Sequence, residues 1–229
     1  MAEYILAFDQ GTTSSRSILF DLEGKVISSV QEEFPQIYPR SGWVEQDGEE
    51  IFRSQYETAK RVIHESGISI EEIRTLGITN QRETAVVWDA ETGEPIHNAI
   101  VWQDKRTSDF CEELKAAGHQ AVIREKTGLV IDSYFSGTKV KWILENVEGA
   151  RAQAEAGHLR FGTIDTWLMY RMTKGDAHVT DFTNASRTLL FNIKDQKWDQ
   201  ELLDLLTIPR SMLPSAHPSG YHFGDFEFR

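Results

Sequence analysis

Along most of the first hundred residues, hydrophobic residues either alternate with polar ones or form short apolar runs, a pattern that predicts mainly β-strands. The predicted strands cover residues 4–9, 14–21, 25–34, 73–79, 84–89 and 100–103. Residues 10–13 alone separate the first two strands, so we expect these to form a β-hairpin. A Leu-Glu-Gly turn joins the second strand to the third.

Helical spacing of apolar residues appears between and after these strands. The sequence predicts Asp47 as the N-cap of the first helix, whose apolar positions run to residue 63. Further helices are predicted over residues 108–117, 137–146, 165–172 and 199–206, and strand-like stretches over 178–181 and 188–192. Strands followed by mixed strands and helices predict an α/β protein. A hairpin that leads into crossover helices is consistent with a ribonuclease-H-like domain.

Near the C-terminus, aromatic residues alternate with glycine and polar residues, at Tyr221, Phe223, Phe226 and Phe228. This alternation predicts a hairpin or strand pair. Arg229 follows without a polar tail, and we interpret the chain as incomplete. A short natural C-terminus is the alternative interpretation.

The composition, with 40% hydrophobic and 26% charged residues, is typical of a globular protein in water. A chain of 229 residues is long enough for one large domain or two smaller ones. It has no signal-peptide core, no apolar run near the roughly 18 residues that cross a bilayer, and a single cysteine, Cys111. We therefore predict a cytoplasmic protein without membrane insertion. The net charge of −12 argues against nucleic acid and anionic membranes as partners, but not against a local nucleotide site.

The most informative segment is residues 9–16, Asp-Gln-Gly-Thr-Thr-Ser-Ser-Arg, in the bend of the predicted hairpin. Gly11 lets the backbone approach a ligand closely, and the hydroxyl and N–H groups around it can bind phosphate oxygens while Asp9 holds a metal ion. The segment therefore suits nucleotide phosphates, although it matches neither a P-loop nor a Rossmann turn. The alternative is an ordinary hairpin loop with Asp and Ser as turn formers.

Four further segments agree with one known family in order and spacing: residues 77–84, 98–104, 134–142 and 181–188. With residues 9–16, they make the chain resemble the N-terminal part of the FGGY family of carbohydrate kinases and, within that family, the glycerol kinases. The resemblance runs from end to end. It implies a ribonuclease-H-like, actin-like ATPase fold for residues 1–229, as an incomplete N-terminal domain without the C-terminal nucleotide-binding domain.

The resemblance also implies an activity, the ATP-dependent phosphorylation of glycerol to sn-glycerol 3-phosphate, with ATP and Mg²⁺ as cofactors. In this family Asp9 would serve the Mg²⁺–phosphate end of the site. Thr12, Thr13, Ser14 and Arg16 would contact the phosphates of ATP or ADP, with Thr12 nearest to the transferred group.

A neutral triol needs hydrogen-bond donors, acceptors and an apolar wall. Arg82 supplies donors, Glu83 acceptors, Trp102 an apolar face and Tyr134 a hydroxyl partner. Taken singly, Arg82 and Glu83 also fit a solvated surface pair, and the two aromatic residues also fit ordinary packing. The resemblance assigns all four residues to the glycerol pocket.

One part that the family needs is missing from the sequence. The general base of these kinases is an Asp in a Gly-Asp-Gln motif, and residues 175–177 and 224–226 are the nearest approaches to it without matching. General base catalysis typically contributes about 10²–10⁴-fold to the rate. We therefore expect this chain alone to be nearly inactive as a kinase, while still binding glycerol weakly.

His222 lies in a Tyr-His-Phe-Gly segment. This segment resembles a loop of glycerol kinases from low-GC Gram-positive bacteria in which the phosphocarrier HPr phosphorylates the histidine. A histidine that packs between aromatic residues is the alternative.

The resemblance further implies a homo-oligomer for the intact protein. Two other functions remain open: another FGGY kinase acting on a pentitol or ketose, and a non-catalytic actin-like nucleotide-binding module.

Overall fold

Short strands and helices follow one another in the computed structural model, which describes residues 3–225. The strands are β1 Tyr4–Gln10, β2 Ser14–Asp21, β3 Val26–Glu33, β4 Glu45–Gln46, β5 Ile73–Asn80, β6 Val86–Asp89, β7 Ala99–Ile100, β8 Leu159–Gly162, β9 Val179–Asp181, β10 Phe191–Asn192, β11 Lys197–Trp198 and β12 Ser215–His217. The helices are α1 Gly48–Ser66, α2 Ser108–Ala116, α3 Gln120–Thr127, α4 Ser136–Asn146, α5 Ala150–Glu155, α6 Ile164–Met172, α7 Phe182–Ala185 and α8 Gln200–Leu206. Within the described residues, a first unit comprises 3–36 and 47–81, and a second unit comprises 37–46 and 82–225.

The first unit is built on a four-stranded sheet in the order β3-β2-β1-β5. β2 runs antiparallel to both β1 and β3, whereas β5 is parallel to β1. A parallel pair needs a crossover connection, which α1 provides. Buried side chains alternate with less buried ones along β1 and β2, as expected for strands with one face under a helix.

α1 begins and ends as its sequence predicts. The side chain of Asp47 accepts a hydrogen bond from the Glu49 N–H, which satisfies one of the free donors at the helix start. Gly67 ends the helix with φ = 71°, a left-handed conformation that glycine adopts without a steric penalty.

A layer of buried hydroxyl groups, called the hydroxyl layer below, lies between β2 and α1. Ser15 Oγ is 2.8 Å from Ser54 Oγ, and Ser17 Oγ is 2.9 Å from Thr58 Oγ1. Gln55 Nε2 donates to Ser17 Oγ at 3.0 Å. Helix and strand are therefore joined here by directional hydrogen bonds in addition to apolar contacts.

Apolar side chains from β6, β8, α4 and α8 build the core of the second unit. Its strands pair two by two: β4 with β7, β6 with β8 and β10 with β11 antiparallel, and β9 with β12 parallel. All six tryptophans of the chain belong to this unit: Trp43, Trp88, Trp102, Trp142, Trp167 and Trp198.

Arg106 links residues 37–46 to the rest of the second unit through hydrogen bonds and ring contacts. Its Nη2 donates to Glu45 Oε1 at 2.7 Å and to Asp104 Oδ2 at 2.9 Å. The guanidinium carbon lies 3.9 Å from the centre of the Trp43 ring and 4.5 Å from that of Trp142. Because this arginine side chain is fully buried, its charge depends on these carboxylates and ring faces for compensation.

The strands predicted before residue 90 are confirmed, with ends that differ by at most two residues, and the predicted helix is confirmed as α1, which extends to Ser66. The predicted strand at 100–103 is wrong beyond Ile100, where β7 ends, and the one at 188–192 is limited to Phe191–Asn192. The predicted helices over 108–117, 137–146, 165–172 and 199–206 are confirmed as α2, α4, α6 and α8.

Elements too short for a clear periodicity were not predicted: α3, α5, α7, β4, β8, β11 and β12. Tyr221 and Phe223 are not part of a strand, and Phe226 and Phe228 of the predicted hairpin lie outside the described residues. Among residues 3–225, no helix is both long enough and apolar enough to cross a membrane.

Candidate functional site

Residues 9–16 form the turn from β1 to β2, and the hairpin register brings the two charged ends of this segment together. Asp9 and Arg16 are direct partners in the β1–β2 ladder. Arg16 Nη1 lies 3.9 Å from Asp9 Oδ2, and the two side chains are 41% and 45% exposed. An ion pair this exposed is weak in water, so both groups can turn to a charged ligand at little cost.

Gly11 keeps the turn tight. Its N–H donates to the Ser14 carbonyl at 2.9 Å, and a Cβ atom at residue 11 would lie 3.2 Å from the same oxygen. Thr12 is half-buried and Thr13 is exposed, so the loop presents hydroxyls at its surface.

A residue that the sequence did not single out, Gln31, orders the polar side chains beside this loop. It lies opposite Arg16 in the β2–β3 ladder. Its Oε1 accepts from Arg16 Nε at 3.1 Å and Nη2 at 2.8 Å, while its Nε2 donates to Ser14 Oγ at 2.9 Å. The predicted phosphate contacts Ser14 and Arg16 therefore share one partner, which only the strand register could have identified.

The base of the loop is fixed by two buried glutamines. The Gln81 N–H donates to the Gln10 carbonyl at 2.6 Å, and Gln81 Nε2 donates to Gln10 Oε1 at 3.1 Å and to the Gly11 carbonyl at 3.2 Å. These bonds tie the end of β1 to the end of β5.

The loop offers a cation one carboxylate, that of Asp9. Among residues 3–225 there is no cluster of three or more His, Cys, Asp or Glu side chains able to hold a metal ion. A single carboxylate is nonetheless compatible with Mg²⁺, which proteins usually hold through one or two carboxylates together with the phosphates of a substrate. The donor set therefore fits a metal that arrives with a nucleotide rather than a resident ion.

The second unit brings together three of the four residues predicted for the polyol. Glu83 is 3% exposed, whereas its neighbour Arg82 is exposed. The rings of Trp102 and Tyr134, both half-buried, have centroids 5.3 Å apart. The Trp102 N–H donates to Thr84 Oγ1 at 3.4 Å, next to Glu83 in sequence.

Arg187 connects Glu83 to Tyr134, and this residue was not predicted as part of the site. Its Nε donates to Glu83 Oε1 at 2.6 Å. Its guanidinium carbon lies 5.8 Å from the centre of the Tyr134 ring and 4.9 Å from that of Phe135. Residues 181–188 resemble the family as a segment, but no signal in the sequence pairs positions 83 and 187.

The backbone around Tyr134 is held by a buried lysine. Lys139 Nζ donates to the carbonyl oxygens of Ser133, Tyr134 at 2.9 Å and Phe135 at 3.1 Å. Burial lowers the pKa of Lys139 to about 7. These contacts are all with the loop that carries Tyr134, so they give the lysine a structural role.

His222 lies away from these groups in the sequence and is 74% exposed at its side chain. Its Nε2 is 3.4 Å from Asp225 Oδ1. Nearby, His217 stacks on Tyr221 with ring centroids 4.0 Å apart, so His217 is the packed histidine and His222 the accessible one.

The structure thus gathers Asp9, Ser14 and Arg16 in the first unit, and Glu83, Trp102 and Tyr134 in the second. Thr12 and Thr13 lie on the same turn as the first group. Arg82 adjoins the second group through its backbone.

Comparison with known proteins gives one consistent result. Residues 4–228 match the model of the FGGY family of carbohydrate kinases, N-terminal domain. A glycerol kinase of Thermoanaerobacter sp. (strain X514) is 61% identical over 224 residues, which cover 98% of this chain and 45% of the relative. The chain therefore spans a little under half the length of such relatives.

Solved structures agree with the sequence comparison. A glycerol kinase of Plasmodium falciparum with ADP is similar with a TM-score of 0.93 and 34% identity, over 99% of this chain and 45% of that one. A gluconate kinase from Lactobacillus acidophilus is similar with a TM-score of 0.87 and 27% identity, over 99% of this chain and 44% of that one. The α/β fold class predicted from the sequence is confirmed.

Proposed function

This chain belongs to the FGGY family of carbohydrate kinases, and we propose that it forms the glycerol-binding part of a glycerol kinase. Such an enzyme transfers the terminal phosphoryl group of ATP to glycerol and yields sn-glycerol 3-phosphate. The observation that carries the proposal is the buried carboxylate of Glu83, which shares Arg187 with Tyr134 beside the Trp102 ring. Acceptors, a phenol and an apolar face together suit a small neutral polyol.

In the proposed complex, each side chain has a distinct role. Arg82 donates hydrogen bonds to glycerol oxygens, and Glu83 accepts them from glycerol hydroxyls. Trp102 covers the carbon chain, and Tyr134 binds a hydroxyl. Phosphoryl transfer depends chiefly on positioning and charge stabilisation, so this fixed orientation of the acceptor hydroxyl is the contribution of the second unit.

The residues that we propose for the binding of nucleotide phosphates belong to the first unit. We assign Thr12, Thr13, Ser14 and Arg16 to the phosphates of ATP or ADP, because hydroxyl, backbone N–H and guanidinium groups meet at this turn. Asp9 would hold Mg²⁺, which when bound neutralises negative charge on the phosphates.

Removal of the proton from the attacking hydroxyl is a step for which this sequence carries no matching residue. The sequence has no Gly-Asp-Gln motif. We therefore expect the chain alone to bind glycerol weakly and to turn over almost no ATP. Residues 1–229 would represent an incomplete N-terminal domain of a larger enzyme that forms homo-oligomers in the cytoplasm.

We also propose that His222 accepts a phosphoryl group from HPr. The support is its exposed imidazole, in contrast to His217, which stacks on Tyr221. Incubation with phosphorylated HPr should label the chain in an acid-labile manner. His222→Ala should abolish the label, while His217→Ala should retain it, and equal labelling of both variants would refute the assignment.

Titration calorimetry with ADP and with a panel of polyols and sugars tests the substrate. We expect glycerol to bind better than pentitols, xylulose or gluconate, and Glu83→Gln to weaken glycerol binding. Glu91→Gln is the matched control, since Glu91 is an exposed residue of the same unit. Preference for a larger sugar would favour another FGGY kinase, an alternative kept open by the likeness to a gluconate kinase. Binding of nucleotide without any polyol would favour a non-catalytic module.

A further inference from the structure

Glu83 occupies an unusual backbone conformation. Its φ is +65°, in the left-handed region that residues other than glycine seldom adopt. The Thr84 N–H donates to the Arg82 carbonyl at 2.8 Å, two residues back in the chain. A hydrogen bond of this span with positive φ at the central residue defines a classic γ-turn, which is rare and strained.

Neighbouring groups retain Glu83 in this turn. Ser136 Oγ, at the start of α4, donates to the Glu83 carbonyl at 2.9 Å, and Ser136 is completely buried. On the side-chain end, Arg187 Nε donates to Glu83 Oε1 at 2.6 Å. Strained conformations persist where the surroundings over-determine them, and they cluster at ligand sites.

Arg187 is itself fixed by its local fold. The Asp181 side chain accepts from the Asn184 N–H and caps α7, and the Arg187 N–H donates to the Asn184 carbonyl at 2.9 Å. One residue later, the Thr188 carbonyl accepts from the Gly137 N–H at 2.8 Å, which ties this segment to α4. Residues 181–188 thus present Arg187 from a rigid turn.

We infer that Arg187 is the positioning residue of the substrate pocket. Its hydrogen bond to one carboxylate oxygen of Glu83 fixes the orientation of the carboxylate. The lone pairs that remain on the carboxylate then accept a hydrogen bond from a single polyol hydroxyl. Its guanidinium also lies over the rings of Tyr134 and Phe135, so one cation orients both the acceptor and the aromatic wall. This role rests on the proposed function of the site as a polyol pocket.

The inference makes a prediction about selectivity among ligands. If Arg187 acts through Glu83, then Arg187→Gln and Glu83→Gln should weaken the same ligands. Propane-1,2-diol lacks one terminal hydroxyl of glycerol, and propane-1,3-diol lacks the central hydroxyl. If Glu83→Gln leaves the affinity for one of the diols unchanged, that diol lacks the hydroxyl that donates a hydrogen bond to Glu83.

The experiment is titration calorimetry of these three ligands with the chain and its variants. For Arg187→Gln we expect a loss of glycerol affinity of roughly tenfold to a hundredfold, the range for hydrogen bonds to charged groups, and no loss for the diol identified above. Arg187→Lys should restore part of the affinity, because it keeps the charge without the fork of donors. Arg124→Gln, an exposed arginine of α3 in the same unit, should behave as the unmodified chain.

The outcomes separate the two claims. If the unmodified chain binds none of the three ligands, the proposed function fails and the positioning role fails with it. If it binds glycerol but Arg187→Gln weakens all three ligands equally, or none, the positioning role alone is overturned. Circular dichroism of each variant checks folding, and should Arg187→Gln not fold, the ligand pattern of Arg187→Lys decides.

Discussion

A buried carboxylate, Asp165, and a half-buried imidazole, His178, of the second unit should oppose each other in the pH dependence of stability. Asp165, at the start of α6, accepts hydrogen bonds from Thr163 and, at 2.7 Å, from Thr180 Oγ1. Burial raises its pKa to about 6, although these hydrogen bonds act in the other direction. The His178 Nε2–H donates to the Phe161 carbonyl at 2.9 Å. Burial lowers the pKa of His178 to about 4.

The signs follow from which state binds more protons. Asp165 has a folded pKa above its usual 3.8, so its contribution to stability is greatest below pH 4 and is lost as pH rises to about 6. His178 has a folded pKa below its usual 6.5, so its contribution is present above pH 6.5 and is lost as pH falls towards 4. Each shift corresponds to about 3 kcal/mol, and the two contributions nearly cancel in the unmodified chain.

Single substitutions should reveal how each group makes the unfolding free energy depend on pH. Between pH 4 and pH 6.5, we expect the unfolding free energy of Asp165→Asn to rise by about 2 kcal/mol relative to the unmodified chain, since most of the shift is traversed in that window. That of His178→Gln should fall by about the same amount. Differences taken at each pH remove the contributions of all other titrating groups.

Urea denaturation followed by tryptophan fluorescence is the suitable assay, because all six tryptophans lie in the second unit. Asp176→Asn, at an exposed carboxylate of the second unit, serves as the control for the loss of a carboxylate. Parallel stability–pH curves for Asp165→Asn and the unmodified chain would refute the reasoning for Asp165. If the unfolding free energies of Asp165→Asn and His178→Gln, each taken relative to the unmodified chain, changed with pH in the same direction, the predicted opposition of the two groups would be refuted.

Two further predictions concern the described packing. Gly11→Ala places a Cβ atom 3.2 Å from the Ser14 carbonyl, so it should weaken ADP binding severalfold in calorimetry while the unfolding midpoint stays nearly unchanged; unaltered ADP affinity would contradict the assigned loop. Arg106→Met leaves the buried Glu45 carboxylate without its cation and should cost about 3–5 kcal/mol in urea denaturation, whereas Lys105→Met, at an exposed neighbour, should cost less than about 1 kcal/mol.

The parts of the fold that could be predicted are those with a local signal. The β1–β2 hairpin follows from alternation on both sides of a short polar turn, and α1 follows from Asp47 and the helical spacing after it. The two-residue strand β4 has no such signal, because pairing with a distant segment, β7, creates it. The same is true of α3 and α5, which depend on packing more than on periodicity.

In the candidate site, residue types could be predicted but their constraints could not. Glu83 was identified from the sequence, yet nothing local indicates its γ-turn, which depends on Ser136 and other distant groups. Arg187 was missed because its partner lies 104 positions away. Gln31 was missed for a similar reason, since its role follows from the register between β2 and β3.

The hydroxyl layer allows α1 only one position along β2. Apolar surfaces lose contact gradually when they slide, whereas paired hydroxyls either meet or leave buried oxygens without partners. A displacement of α1 along the strand would break the Ser15–Ser54 and Ser17–Thr58 pairs at the same time. Because β2 begins at Ser14, immediately after the loop, the same hydrogen bonds also fix the position of that loop relative to α1.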